Sequence, residues 1–165
     1  MFANGVSGEV TTLMASDMLA AKRFVSPLVD ISAGTFPGPA TATLPLFSAS
    51  PYGSVIGHVN MLFNANGSLA ATAGVLDIGH RSIVAGVLVA DPDSIVDAQP
   101  VLDTYLAGQI VTCTLANTLR GTTFMSGGLP VIPTGNQVYA TITLDGANTA
   151  DFVIEVYYVD LEPGQ

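Results

Sequence analysis

The sequence predicts a mainly β protein: an antiparallel β-sandwich with one helical segment near its N-terminus. Three observations carry this. Through 137–161 (QVYATITLDGANTADFVIEVYYVDL) side chains alternate with a period of two, as in half-buried strands. Elsewhere short apolar runs follow one another between Gly, Pro, Asn and Asp clusters, giving about eight or nine strands at sandwich spacing. Strand and helix patterns do not alternate, which argues against a parallel α/β sheet.

Taken in order, residues 1–8 are polar and glycine-bearing and read as a flexible arm. In 9–25 (EVTTLMASDMLAAKRFV), Val10, Leu13, Met14, Met18 and Ala21 share one helical face. Lys22 and Arg23 fall in its last turn, where the helix dipole favours cations, and Pro27 follows as a stop. A short strand is expected at 28–32. Pro37, Pro39, Pro45 and Pro51 punctuate the next stretch, so 41–47 is at best an edge strand. That stretch lies either on its own domain or, as an extended arm, across a neighbouring subunit. Residues 55–63 have strand length, and NANGS marks a turn after them. Two further runs, 68–78 and 83–90, are separated by Gly79-His80-Arg81-Ser82; the second, IVAGVLVA, reads as a buried strand. Residues 91–100 (DPDSIVDAQP) read as an acidic, proline-bounded connection. Strands follow at 101–106 and 109–116, joined across Ala107-Gly108, then a Gly- and Pro-rich excursion at 121–136. In the last pair Val138, Ala140, Ile142 and Leu144 share one face, and Phe152, Ile154, Val156 and Tyr158 share another. Asp145-Gly146 between them signals an antiparallel hairpin.

With 165 residues and neither a linker nor a fixed-period repeat, 1–165 reads as one domain with one core. Hydrophobic residues make up 49% and charged residues 10%, against about 25% charged in ordinary domains. So bland a surface is either covered by neighbours or wetted by Ser, Thr and Asn. The net charge is −9, from 13 acids and 4 bases. Lys22, Arg23, Arg81 and Arg120 are too few and too scattered to follow a phosphate backbone, so no nucleic-acid partner is expected. An anionic membrane would repel the chain. Cys113 is the single cysteine; it excludes an internal disulfide and reads as a buried structural thiol. MFANGVSGEVTT lacks a basic n-region with an apolar core, so no signal peptide is expected. The apolar stretch 69–90 is broken by Asp77, His80 and Arg81 and does not read as a membrane span.

The candidate chemical groups are sparse. His58, Asp77 and His80 would suit a zinc or iron site if their strands paired, although a closer His-x-His spacing is usual; ordinary turn or surface histidines explain them more simply. Asp91, Asp93 and Asp97 could offer oxygens to calcium, but Val96 stands where an EF-hand loop needs glycine, and a solvated acidic turn is the simpler reading. Ser126-Gly127-Gly128 and 64–68 lack the lysine of a phosphate loop, and no G-x-S-x-G elbow occurs. Tyr52, Tyr105, Tyr139, Tyr157 and Tyr158 could serve a sugar-binding face; Tyr139 and Tyr157 on one sheet face are explained as well by cross-strand packing. No catalytic, cofactor-binding or metal-binding residue is therefore assigned, and no enzyme activity is expected.

The C-terminal stretch resembles the end of many tailed-phage virion proteins. The matching residues are Ala140-Thr141-Ile142-Thr143-Leu144, then Thr149-Ala150-Asp151, then Ile154-Glu155-Val156-Tyr157-Tyr158-Val159. The Ala/Gly/Thr-rich acidic composition is similar to that of phage capsid decoration, or cement, proteins. The resemblance covers about 25 of 165 residues and carries over no individual functional residue. It implies a jelly-roll or related β-sandwich and a structural virion protein on the capsid surface, made in the host cytoplasm, binding the major capsid protein as a symmetric oligomer, a homotrimer. Its alternatives are a carbohydrate-binding attachment module of a tail or fibre and a cupin-like metal enzyme using His58 and His80.

Overall fold

The computed structural model describes residues 21–30, 41–65, 74–101, 105–116, 124–126, 129–143 and 151–162. Their β-branched and aromatic runs form strands: β1 (Lys22–Val25), β2 (Val29–Asp30), β3 (Thr41–Ser48), β4 (Ser54–Ala65), β5 (Gly74–Val84), β6 (Val87–Val101), β7 (Ile110–Thr112), β8 (Phe124–Ser126), β9 (Leu129–Ile132), β10 (Gln137–Thr143) and β11 (Asp151–Asp160). No helix occurs among the described residues.

The strands build two antiparallel sheets. One runs β1-β11-β4-β9-β8, with β2 also on β11 and β7 also on β4; the other runs β3-β10-β5-β6. Period two sorts their side chains. Ile56, Val59, Met61 and Phe63 of β4 and Phe152, Ile154 and Val156 of β11 point inward from the first sheet. Leu76 and Ile78 of β5, Val138, Ala140 and Ile142 of β10, and Ile95 and Val96 of β6 come from the second. All belong to one buried cluster. Rings span the two sheets at its end: Phe47 of β3 stacks on Tyr158 of β11 at 4.2 Å and 14°. The core is the apolar layer between the sheets, and burying it is the dominant favourable term in folding.

The structure departs from the sequence reading at several places. The last two strands do not pair with each other. β10 lies between β3 and β5, and β11 lies between β1 and β4, so the chain crosses from one sheet to the other between them. Alternation was legible in both strands, but it fixes only which side chains face inward; it does not name the partner.

The end of the expected helix is also a strand. Lys22–Val25 forms β1 on the edge of β11, with Lys22 opposite Tyr158 and Arg23 opposite Tyr157. The two cations serve acids of β11 and not a helix terminus: Lys22 Nζ lies 2.5 Å from Asp160, and Arg23 pairs with Glu155. Residues 9–20, like the arm at 1–8, lie outside the described residues. So do 31–40 of the proline-rich stretch; from Thr41 onward that stretch is the expected edge strand, bonded to β10 alone, with Pro45 beside a register shift.

Gly79-His80-Arg81-Ser82 is not a turn. β5 runs through it, and the chain reverses at Ala85-Gly86, where Ala85 has φ 51° and Gly86 φ 79°. Gly79 is needed for another reason. A Cβ there would sit 1.9 Å from the carbonyl oxygen of Asp91 and 2.5 Å from the carbonyl carbon of Pro92, so the two backbones can cross only at glycine. The acidic connection 91–100 is likewise strand, the second half of β6. Two register shifts let it carry Pro92 and Pro100, and among the described residues its backbone is met on the outer side only at 95–96, where Leu115 bridges Val96 and the Ala116 N–H donates to the Ile95 carbonyl at 2.7 Å. Within 121–136, β8 and β9 are strands despite their glycines and prolines. Tyr105 and Leu106 are not strand, whereas the turn at Ala107-Gly108 is as expected; of the strand expected at 109–116 only Ile110–Thr112 forms, with a single bridge at Leu115 beyond it.

Candidate interaction surface

The metal-ligand candidates are not brought together. His58 is on β4 of the first sheet, exposed, its ring stacked on Tyr157 at 4.1 Å and 15°. His80 is on β5 of the second sheet and buried, its Nδ1 2.8 Å from Nδ2 of Asn136. That contact ties β5 to the turn before β10, where the Asn136 carbonyl accepts from Ala49 N–H at 2.8 Å. Burial lowers the His80 pKa below the ordinary imidazole value, against an opposing pull from the Asp91 charge. Asp77 has a structural partner: its Oδ1 accepts from the Ala98 N–H at 2.7 Å, at a residue with φ 51°. Burial raises its pKa, partly countered by that bond, and Asp97 and Asp93 raise it further. Asp91, Asp93 and Asp97 are spread along β6, and Ser94 Oγ donates to the Asp91 carbonyl at 3.2 Å. Among the described residues no group of three or more His, Cys, Asp or Glu is placed to hold a metal.

Cys113 is buried, as expected, and burial pushes its thiol up to about 12. The tyrosines form no common face. Tyr139 is buried beneath the Arg81 guanidinium, 4.9 Å from its ring centre. Tyr157 is in the other sheet, and Tyr158 and Tyr105 pack on Phe47 and Phe63. Tyr52 is the exposed one, at 54%. The described bases are engaged too. Lys22 and Arg23 hold Asp160 and Glu155, and Arg81 Nε donates to Gln137 at 2.8 Å. The pKa of Asp160 is lowered: burial works against its charge, but the bonds from Lys22 and Ser54 outweigh it.

What the sequence reading missed is a surface. The run IVAGVLVA, expected to be buried, is exposed at every residue from 83 to 90. Ile83, Val84, Val87, Leu88 and Val89 are each more than half exposed, with Ile83 at 75%. The cause lies in the register. β10 accompanies β5 only as far as Gln137 opposite Arg81. Beyond that point β5 and β6 pair only with each other, Ser82 with Val89, Ile83 with Leu88 and Val84 with Val87. The result is a two-stranded ribbon without a charged or polar side chain from 83 to 90. At its root is a cleft of about 520 Å³ lined by Arg81, Ser82, Ile83, Leu88, Gly135 and Gln137. A signal was present in the sequence: a strand-length run with no inward–outward alternation, broken in its middle by Ala-Gly. That pattern fits equally a strand covered on both faces within its own domain and one covered on both faces by something else.

No protein-family model matches the chain, and no curated protein matches it. Among solved structures, a chain of the "Cyanophage Pam1 capsid asymmetric unit" is similar, with 16% identity over 84% of this chain and 84% of that one and a TM-score of 0.47.

Proposed function

We propose that the protein is a structural component of a phage virion, a decoration or cement protein that binds the capsid lattice as a symmetric oligomer, a homotrimer. The observation that carries this reading is the uncovered apolar ribbon at 83–90 on a body whose described titratable groups are dispersed or engaged in its own packing. Exposed apolar patches larger than a few hundred Å² mark association surfaces. Few charges mean little desolvation cost when many copies pack on a lattice. The C-terminal motif resemblance supports the same class. Its two strands are both present, one in each sheet. A jelly-roll-like sandwich suits the pairing β3–β10 in one sheet and β4–β9 in the other, which nests as the strands of that fold do; β11 on the far side of β4 is an addition. This reading includes no catalysis and no cofactor. No helix among the described residues is long and apolar enough to cross a membrane.

The test is to add purified protein to phage heads stripped of accessory proteins and to map bound density by electron microscopy. The expected result is saturable occupancy at symmetry-related positions. Absence of binding, together with glycan binding that is lost in Tyr52→Ala, would replace this reading with the attachment module.

A further inference from the structure

We infer that the ribbon at 83–90 is a self-association arm whose occupant is the same ribbon of a second copy of this chain. The inference rests on the reading of the protein as a self-assembling oligomer, and it names a two-fold contact, distinct from the three-fold contact of a homotrimer, by which a copy in one oligomer meets a copy in the next.

Three features select a second copy over other partners. The first is hydrogen bonding. Past Arg81 the outer edges of both ribbon strands carry backbone groups unpaired among the described residues, because β10 has ended and β6 is the last strand of its sheet. An edge needs a β-edge of matching length and twist, and an identical edge related by a two-fold axis provides one. The second is charge. The chain carries −9, and its described bases are already bonded within the fold, so two bodies repel each other wherever their acidic surfaces face. The ribbon has no charge over eight residues, so copies can meet there without opposing carboxylates. The third is area. Five large side chains, each more than half exposed, leave on each copy an apolar surface that its own chain does not cover and that association can. A lipid bilayer fits less well. Hairpins that enter bilayers carry interfacial aromatics, and none occurs from 82 to 90.

The test is sedimentation velocity over a wide concentration range, comparing the wild-type chain with the double variant Val84→Lys/Leu88→Lys. Both positions are exposed, so the variant should fold, which the continued inertness of buried Cys113 to a thiol reagent would report. The expected result is a wild-type oligomer whose association the lysines weaken by about 100-fold, the effect of removing two central contacts. A second variant, Val87→Cys, should form a covalent dimer under mild oxidation through the arm, since Cys113 is inaccessible. A folded double variant that assembles like wild type, or a Val87→Cys oligomer that never cross-links, would overturn the arm while leaving oligomeric assembly intact. A wild-type monomer at all concentrations would overturn both. A monomer that floats with phosphatidylcholine vesicles, and no longer does so with the two lysines, would overturn the arm in favour of a membrane.

Discussion

β5 has two halves that read alike and end differently. From Gly74 to His80 its inward side chains, Leu76 and Ile78, are fully buried, with β10 on one side and the opposite sheet above. From Ile83 onward the same strand, no less apolar, is exposed on both faces. Both are apolar, although only the first carries polar side chains, Asp77 and His80. The difference is the number of neighbours, set by where β10 begins and by the crossing of β6 over Gly79. Apolar character records that a residue is to be covered; the topology decides whether the cover comes from its own chain.

That contrast can be broken most severely at Gly79. Gly79→Ala drives a Cβ into the Asp91–Pro92 backbone and should cost about 4 kcal/mol or more, since neither strand can yield without losing register. Gly86→Ala, at the ribbon tip, meets no atom within 4 Å and carries only the penalty of a positive φ, about 1 kcal/mol. Urea unfolding of the two variants measures both. Side-chain truncation should divide the halves in the same way. Phe152→Ala in the core is expected to cost about 3–5 kcal/mol and Ile78→Ala about 2–5 kcal/mol, whereas Ile83→Ala in dilute protein should lie within about 0.5 kcal/mol of wild type.

A smaller effect comes from His80. Its folded pKa is depressed by burial below the ordinary 6.5, so the unfolded chain binds the proton first as pH falls. Stability is complete above that value and is lost as pH falls from it towards the folded pKa. The urea midpoint should therefore drop between neutral and mildly acidic pH, and His80→Asn should flatten that slope while lowering the neutral plateau through the loss of the Asn136 contact. Asp160, whose folded pKa is lowered, acts further down: its contribution is present above the ordinary carboxylate range and is lost as pH falls through the folded value. Smallest of all, Lys22→Met removes a cation on the exposed edge and should leave the urea midpoint within experimental error of wild type.

The sequence made the strands legible where one face is buried and the other wet. β10 and β11 were visible for that reason, whereas β3 and β4 showed only as a proline-bearing edge strand and an apolar run of strand length. It misled where a residue type has two uses. Gly79 looked like turn chemistry and is a crossing point; Pro92 and Pro100 looked like breakers and sit beside register shifts in the last strand of a sheet. Lys22 and Arg23 looked like helix-end cations and are ion-pair partners of β11. Partner choice was not legible at all, because period two is the same whether β10 pairs with β11 or with β3 and β5. The interaction surface escaped because its sequence is that of a core strand.

The most direct measurement is amide hydrogen exchange at 83–90 as a function of protein concentration, with the amides of β4 and β10 as internal reference. If copies of the arm pair edge to edge, the amides on its outer edges exchange freely in dilute solution and become protected as concentration rises, while the body stays protected throughout. Outer-edge amides that exchange freely at every concentration, or that are protected equally at all of them, would contradict the account.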